Sequence, residues 1–468
     1  MPEIEPRVDR RRFLKRGAVL AGGVMVGAPF MQSLIARGAL AEPRQTTAGA
    51  SSGYGELFPT RDQNGDQLLA LPKGFQYVTL GVTGGMMSDG SPTPKAHDGM
   101  AAFRMANGHT RLIRNHEVRD APGVEDPIGD PARVYDPLGP GGTTSLQLVV
   151  DIGGRARLVR DFVSLNGTIV NCAGGPTPWN SWLSCEETTQ GTTHGWSKPH
   201  GYVFEVPVNA EDEVEAVPLK AMGRFVHEAV AVDPMTGFVY ETEDNNPCGF
   251  YRFIPVEKGK LRSGGKLQML AVRGQPNYDT SRGQEPHKPL PVSWVNIDAP
   301  DPPQAESNPR AVYEQGAAKG GAKFVRLEGG WYGGGSVFIN STSGGDAGLG
   351  QVWEYRPGLT GGQLTLLFES TSPAVLESPD NVCVSPRGGI VLCEDGSGQQ
   401  FLRGLTLEGE IFDFALNLTS GYEWAGATFG PNRRTLFVNI QGATSGPVTP
   451  GNVGRTFAIW GPWEKGSL

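Results

Sequence analysis

One short pattern constrains the fold of this chain more than any other feature: a turn, three to five apolar or β-branched residues, then acidic or amide residues. It recurs at Arg111–Glu117, Trp182–Glu187, Gly237–Asp244, Gly335–Thr342, Gly389–Asp395 and Thr435–Gln441. Each copy reads as a β-strand with a polar end. Most are followed by a second strand with aromatic or aliphatic patterning, as in Gly201–Val206, Gly249–Phe253, Gln351–Tyr355 and Gly409–Phe414. The unit is therefore a β-meander. A meander cannot bury both faces of its sheet alone, and radial packing around a channel solves this while leaving only short sheet edges. The expectation is an all-β chain, a six-bladed β-propeller.

Composition agrees with a turn-dense chain: 67 glycines and 37 prolines in 468 residues, with only 19% charged residues. A formal net charge of −8 and no basic stripe argue against nucleic acid, whose phosphates need clustered Lys and Arg. The five cysteines, Cys172, Cys185, Cys248, Cys383 and Cys393, are odd in number and form no C-x-x-C pair, so neither a zinc ribbon nor a dense disulfide framework is indicated. A proline-rich stretch around 255–322 reads as an insertion over the propeller face, and residues 42–70 as an irregular arm before a single domain over 71–468.

The N-terminus places twin arginines in Asp9-Arg10-Arg11-Arg12-Phe13-Leu14-Lys15, ahead of an apolar run from Ala18 to Ile35 and Ala39-Leu40-Ala41. This reads as a cleaved twin-arginine signal over residues 1–41. It implies a partner in the twin-arginine export machinery and a periplasmic or secreted protein with no stable membrane anchor after cleavage; a monomer is the accompanying expectation. An uncleaved span is the alternative reading of the same apolar run.

In a propeller, corresponding strand ends converge on one funnel, so the scattered polar ends become one site. Glu117, Cys185, Glu186, Glu187, Glu243, Asp244, Asn381 and Asp395 are expected at one mouth. Such a ring repels itself unless cations fill it. Hard oxygen donors suit Ca2+ or a ferric ion, and a thiolate at Cys185 would bring a transition metal. His227 and Glu228 precede an apolar turn, Asp380-Asn381 precede a strand, and Arg326 with Glu328 at i+2 offers a donor fork beside an acid.

At these residues the chain resembles the PhoX-type alkaline phosphatases. The matching pieces, in order, are His97-Asp98-Gly99-Met100, Asn115-His116-Glu117, Ser184-Cys185-Glu186-Glu187, Arg224 to Glu228, Thr242-Glu243-Asp244 with Tyr251-Arg252-Phe253, Arg326-x-Glu328, Pro379-Asp380-Asn381, Glu394-Asp395-Gly396, and Gly426-Ala427-Thr428-Phe429 leading into Thr435–Asn439. The resemblance implies phosphomonoester hydrolysis, acting on small-molecule phosphate esters, at two ferric ions (Fe3+) and several Ca2+, with Cys185 in the iron-bridging position. It further implies Glu117, Glu228, Glu243, Asp244, Asp380, Asn381 and Asp395 as cation ligands, one of Glu186 and Glu187 among them. Arg326 would hold phosphoryl oxygens, and Glu328 would bind a cation or orient Arg326. A calcium-dependent lactonase or esterase, and a noncatalytic calcium-stabilised binding propeller, are the rival expectations.

Overall fold

The computed structural model describes residues 53–468; the twin-arginine segment and the start of the arm lie outside the described residues. Strands dominate, and among the described residues the α-helical content is the short segment Ala311–Ala317. No described helix is long and apolar enough to cross a membrane.

Six antiparallel meanders follow one another. The first comprises His97–Arg104, Thr110–His116, Gly141–Val150 and Ala156–Thr168; the second Asn171–Pro176, Ser181–Glu186 and Val203–Pro207. The third comprises His227–Val232, Val239–Glu243, Tyr251–Pro255 and Gly265–Val272, and the fourth Leu327–Gly333, Ser336–Ser341, Gln351–Gly358 and Gly361–Glu369. The fifth runs Pro379–Val384, Ile390–Glu394, Phe401–Leu405 and Ile411–Asn417. The sixth, Trp424–Phe429, Thr435–Ile440 and Arg455–Trp460, is completed by Gln76–Leu80 from the other end of the chain. The first strands pack side by side in chain order, and the sixth returns to the first, so the meanders close a ring. The fold is a β-propeller.

Three sequence expectations shift. The recurring pattern marks the second strand of each meander, whereas the strands nearest the axis are those before it. The segment 42–70 is not wholly irregular, because Leu57–Thr60 and Leu69–Pro72 extend the sheet of the fifth meander. The stretch 255–322 is only partly an insertion: Gly265–Val272 is the fourth strand of its meander, and Leu290–Asn296 fuses the third and fourth sheets into one. Edge strands recruit such partners because their backbone donors and acceptors are otherwise open.

Apolar seams hold neighbouring meanders together. One, built from Leu183, Val203, Phe225, Val230, Val239 and Phe253, fills the seam between the second and third. Another, with Cys383, Val391, Trp424, Leu436 and Phe457, joins the fifth and sixth. Each fully buried side chain of this size contributes about 1.5–3 kcal/mol before entropic costs.

Close to the axis the backbone repeats one device. The first strands each carry a β-bulge near their start, between His97 and Met100, Asn171 and Gly174, His227 and Val230, Leu327 and Gly330, Pro379 and Val382, and Ala425 and Thr428. A bulge sets two residues opposite one and re-aims the side chains it carries. Four of these strands are entered through a non-glycine residue in the left-handed region: Ala96 (φ 56°), Val170 (φ 50°), Arg326 (φ 46°) and Ser378 (φ 51°). For a β-branched residue such as Val170 that conformation is strained, and it persists only where the surroundings over-determine it.

Candidate metal centre

The bulge makes the strand start a repeated position, and its occupants are Asp98, Cys172, Glu228, Glu328, Asp380 and Gly426. All five side chains that carry a donor are buried. The residue after each is small or an amide: Gly99, Ala173, Ala229, Gly329, Asn381 and Ala427, which line a small cavity on the axis. They must be compact, because a Cβ on Gly329 would lie 2.3 Å from the Asp380 carbonyl oxygen and one on Gly99 2.6 Å from the Ala173 Cα.

The second strands supply a second tier, and strand alternation decides which residues belong to it. In the first, third and fourth meanders the residue opposite the bulge, and in the sixth Asn439 one step beyond it, fastens one meander to the next. Asn115 Nδ2 donates to the carbonyls of Cys172 (3.0 Å) and Ala173 (2.7 Å), Thr242 Oγ1 to that of Glu328 (2.6 Å), Asn340 Nδ2 to that of Asp380 (2.6 Å) and Asn439 Nδ2 to that of Asp98 (2.6 Å). Thus every bulge carbonyl bonded in this way belongs to a residue of the central ring or its neighbour. The next residue along turns away. The one after it, Glu117, Glu187, Asp244, Thr342, Asp395 or Gln441, returns to the mouth.

This alternation carries three of the expected ligands away from the mouth. Cys185 occupies the position opposite the bulge and packs in the apolar seam with Leu183, Val203 and Phe225. Glu186 points away and accepts bonds from His200 Nδ1 (2.6 Å), Gly201 N (2.8 Å), Tyr202 N (3.2 Å) and Ile169 N (3.1 Å). Glu243 likewise accepts from Tyr251 Oη (2.7 Å) and Gly249 N (3.0 Å) within its own meander. Of the Glu186–Glu187 pair, Glu187 faces the mouth. The thiol at the mouth is that of Cys172, whose Sγ donates to Glu228 Oε1 at 3.1 Å.

Two overlapping donor sets stand out. Asp98, Glu117 and Cys172 offer atoms within 4.8 Å of one another, as do Cys172, Glu187 and Glu228. Cys172 belongs to both. Glu328, Asp380, Asp395 and Glu423 continue the acidic wall: Asp395 acts electrostatically on Glu328 and Asp380, and pairs with Glu423. Asn381 Oδ1 instead accepts from Gly426 N at 2.6 Å. His227 faces the seam, with its Nε2 donating to the Gly223 carbonyl at 3.1 Å.

Nine carboxyl groups thus share the mouth, Asp98, Glu117, Glu187, Glu228, Asp244, Glu328, Asp380, Asp395 and Glu423. Facing them are two guanidinium groups, Arg119 paired with Glu117 and Glu187, and Arg326 paired with Asp244 and Glu328. Arg326 Nε and Nη2 lie 2.8 and 3.0 Å from the two Asp244 oxygens. Burial, then mutual repulsion, pushes Asp98, Glu228 and Asp380 well above the usual carboxylate range. Glu187 and Glu328 are raised by burial despite their arginine partners, whereas the Arg326 guanidinium overcomes burial and lowers Asp244. Burial and the surrounding acids also raise the Cys172 thiol. Such a basin is costly to ionise alone and is suited to multivalent cations, which invert that cost.

Cys172, Arg119 and Glu423 lie outside the recurring strand-tip pattern, and Asp98 gains a role only from the tertiary structure. A signal was present. Asp98-Gly99, Cys172-Ala173, Glu228-Ala229 and Glu328-Gly329 share the form donor then small residue, at the head of the strand before each recurring pattern.

Residues 52–444 match the family model described as alkaline phosphatase PhoX. The chain belongs to the PhoX alkaline phosphatase family. With that membership comes the class of chemistry, metal-dependent hydrolysis of phosphate monoesters. The structure of Pseudomonas fluorescens PhoX in complex with vanadate, a transition-state analogue, aligns over 89% of this chain and 99% of its own at a TM-score of 0.67 and 18% identity. A gluconolactonase from Xanthomonas campestris aligns over 77% of this chain and 92% of its own, with a TM-score of 0.37 and 11% identity. No curated sequence matches significantly.

Proposed function

We propose that this chain hydrolyses phosphate monoesters at a mixed cluster of ferric and calcium ions held in the acidic mouth, after export by the twin-arginine route. The observation that carries the metal reading is the pair of donor sets sharing Cys172. A thiolate common to two carboxylate-rich positions suits two neighbouring transition-metal ions, since soft sulfur with hard oxygen favours iron over calcium. The all-oxygen wall of Asp380, Asp395 and Glu423 suits Ca2+, which takes six to eight oxygen ligands.

Bound there, such cations screen the phosphoryl dianion and activate water as the nucleophile. The chain's own groups do the rest. Asp98, Glu117, Cys172, Glu187 and Glu228 hold the cations. The bulge carbonyls, fixed by Asn115, Thr242, Asn340 and Asn439, keep the ring from relaxing under the load of like charge. The compact floor of Gly99, Ala173 and Gly329 closes the axis. In the net reaction the water oxygen bonds to phosphorus, the ester P–O bond breaks, and the departing alkoxide takes up a proton.

The test is elemental analysis of protein purified without chelator, together with turnover of p-nitrophenyl phosphate before and after dialysis against chelator. Iron near two per chain with calcium, and activity lost with the metals, is the expected result. Calcium without iron, with full phosphatase activity, would refute the iron assignment. Export rests on the N-terminal arginines, and replacing Arg10 and Arg11 by lysine should retain the protein in the cytoplasm.

A further inference from the structure

Arg119 stands in an unusual place. It follows Glu117 by two residues, leaves the meander on the loop after Thr110–His116, and is 42% exposed, while the carboxylates it pairs with, Glu117 and Glu187, are buried at 4% and 11% side-chain exposure. Those two acids belong to different donor sets, Glu117 to the one with Asp98 and Glu187 to the one with Glu228. The guanidinium therefore spans both cation positions, as Cys172 does. Cys172 does so from the buried wall, 5% exposed, whereas Arg119 does so from the solvent side.

The arginine is also held there. Its backbone N donates to the Thr444 carbonyl at 2.7 Å. Next to it, Asp120 receives the buried Lys95 ammonium at 2.5 Å and the Gly446 N at 2.8 Å, and Lys95 further bonds Glu125 (2.6 Å) and the Gly446 carbonyl (2.9 Å). Gln441, at the base of the same loop, donates to Asp98 Oδ2 (2.9 Å) and Glu117 Oε2 (2.5 Å). Two loops are thus knotted at Lys95, with Arg119 at their edge over the mouth.

We infer that Arg119 is a catalytic residue that binds the phosphoryl group where the ester bridges the two cation positions. A phosphoryl group reaching both positions must enter from solvent, and Arg119 is the half-exposed cation that touches an acid of each. A planar fork of N–H donors matches two phosphoryl oxygens. Once Glu117 and Glu187 give their oxygens to cations, the fork keeps its anchored backbone and exchanges two carboxylates for the substrate dianion. Arg326 pairs instead with Asp244 and Glu328, which lie outside both donor sets, whereas the partners of Arg119 belong one to each. This inference rests on the phosphatase reading above.

The experiment compares the metal-loaded wild type with Arg119→Ala and Arg119→Lys, measuring kcat and KM for p-nitrophenyl phosphate, competitive inhibition by inorganic phosphate, and iron and calcium content. Arg119→Ala should keep its metals, lose roughly a hundredfold in kcat/KM, and bind inorganic phosphate at least tenfold more weakly. Arg119→Lys, which keeps the charge without the fork, should fall between. Unchanged phosphate inhibition in Arg119→Ala overturns the inference while leaving the phosphatase reading intact. Loss of iron in both variants also overturns it, since the arginine would then serve only to assemble the acids. A metal-loaded wild type without turnover of monoesters removes the phosphatase reading, and this inference with it.

Discussion

Two cysteines thirteen positions apart should respond oppositely to the same substitution, and the contrast tests the assignment of the central ring. In Cys185→Ser a hydroxyl replaces a thiol in the apolar seam of Leu183, Val203, Met222, Phe225 and Val230. Burying a hydroxyl without a partner costs about 1–3 kcal/mol. Unfolding entropy of about 2.1 cal/mol/K per residue gives roughly 0.9 kcal/mol/K for a folded chain of about 400 residues. The expected drop in Tm is therefore about 1–3 °C, with iron and activity retained. In Cys172→Ser the hydroxyl can still donate to Glu228, as the thiol does at 3.1 Å, so the fold should hold. What is lost is the one donor common to both cation positions. A fall of roughly a hundredfold in kcat corresponds to about 2.7 kcal/mol of barrier, and iron should fall in parallel. The assays are p-nitrophenyl phosphate turnover, elemental analysis and thermal unfolding of chelator-treated protein. If Cys185→Ser loses iron as fully as Cys172→Ser, or Cys172→Ser keeps both iron and activity, the ring assignment is wrong.

Asn340→Ala removes the 2.6 Å bond to the Asp380 carbonyl and leaves a buried acceptor open, which should cost about 1–3 kcal/mol in denaturant unfolding and loosen calcium more than iron. A variant with unchanged stability would contradict the fastening role. His200 lies between Glu186 and Asp136; burial alone would lower its pKa, but the two carboxylates outweigh it and raise it from 6.5 to about 9. Its stabilising effect is complete below pH 6.5 and lost as pH rises through 9, worth about 3 kcal/mol. At the acid end, burial opposes but His200 and backbone donors lower Asp136 from 3.8 to about 2, so its contribution is present above pH 3.8 and lost toward pH 2. His200→Asn should flatten the alkaline limb of the Tm–pH curve, and an unaltered limb would exclude the triad as its source.

Much of the architecture was legible because strand signals are local. Alternation of apolar residues and flanking turns mark Trp182–Glu187 or Gly389–Asp395 as strands wherever they occur. The acids just past those strands, Glu117, Asp244 and Asp395, were likewise readable as polar tips, although the same pattern offered Glu186 and Glu243, which turn away from the mouth. Family resemblance added the chemistry, through an order of motifs that no single motif could carry.

What the chain could not disclose by itself was the register. A one-residue step moves a side chain from one face of a sheet to the other, so Glu187 reaches the mouth while Glu186 is tied to His200, and Cys185 falls into a seam. The same step is altered once more by the bulge, which exists only in the pairing of two strands and gives no unambiguous local signal. Through it Asp98, Cys172 and Glu228, on strands the recurring pattern does not mark, become the centre of the site. Local sequence decided that strands with acidic tips would form. The closure of six meanders, with its bulges and its asparagine fastenings, decided which donors would meet, because that depends on contacts between residues as far apart as Asp98 and Asn439.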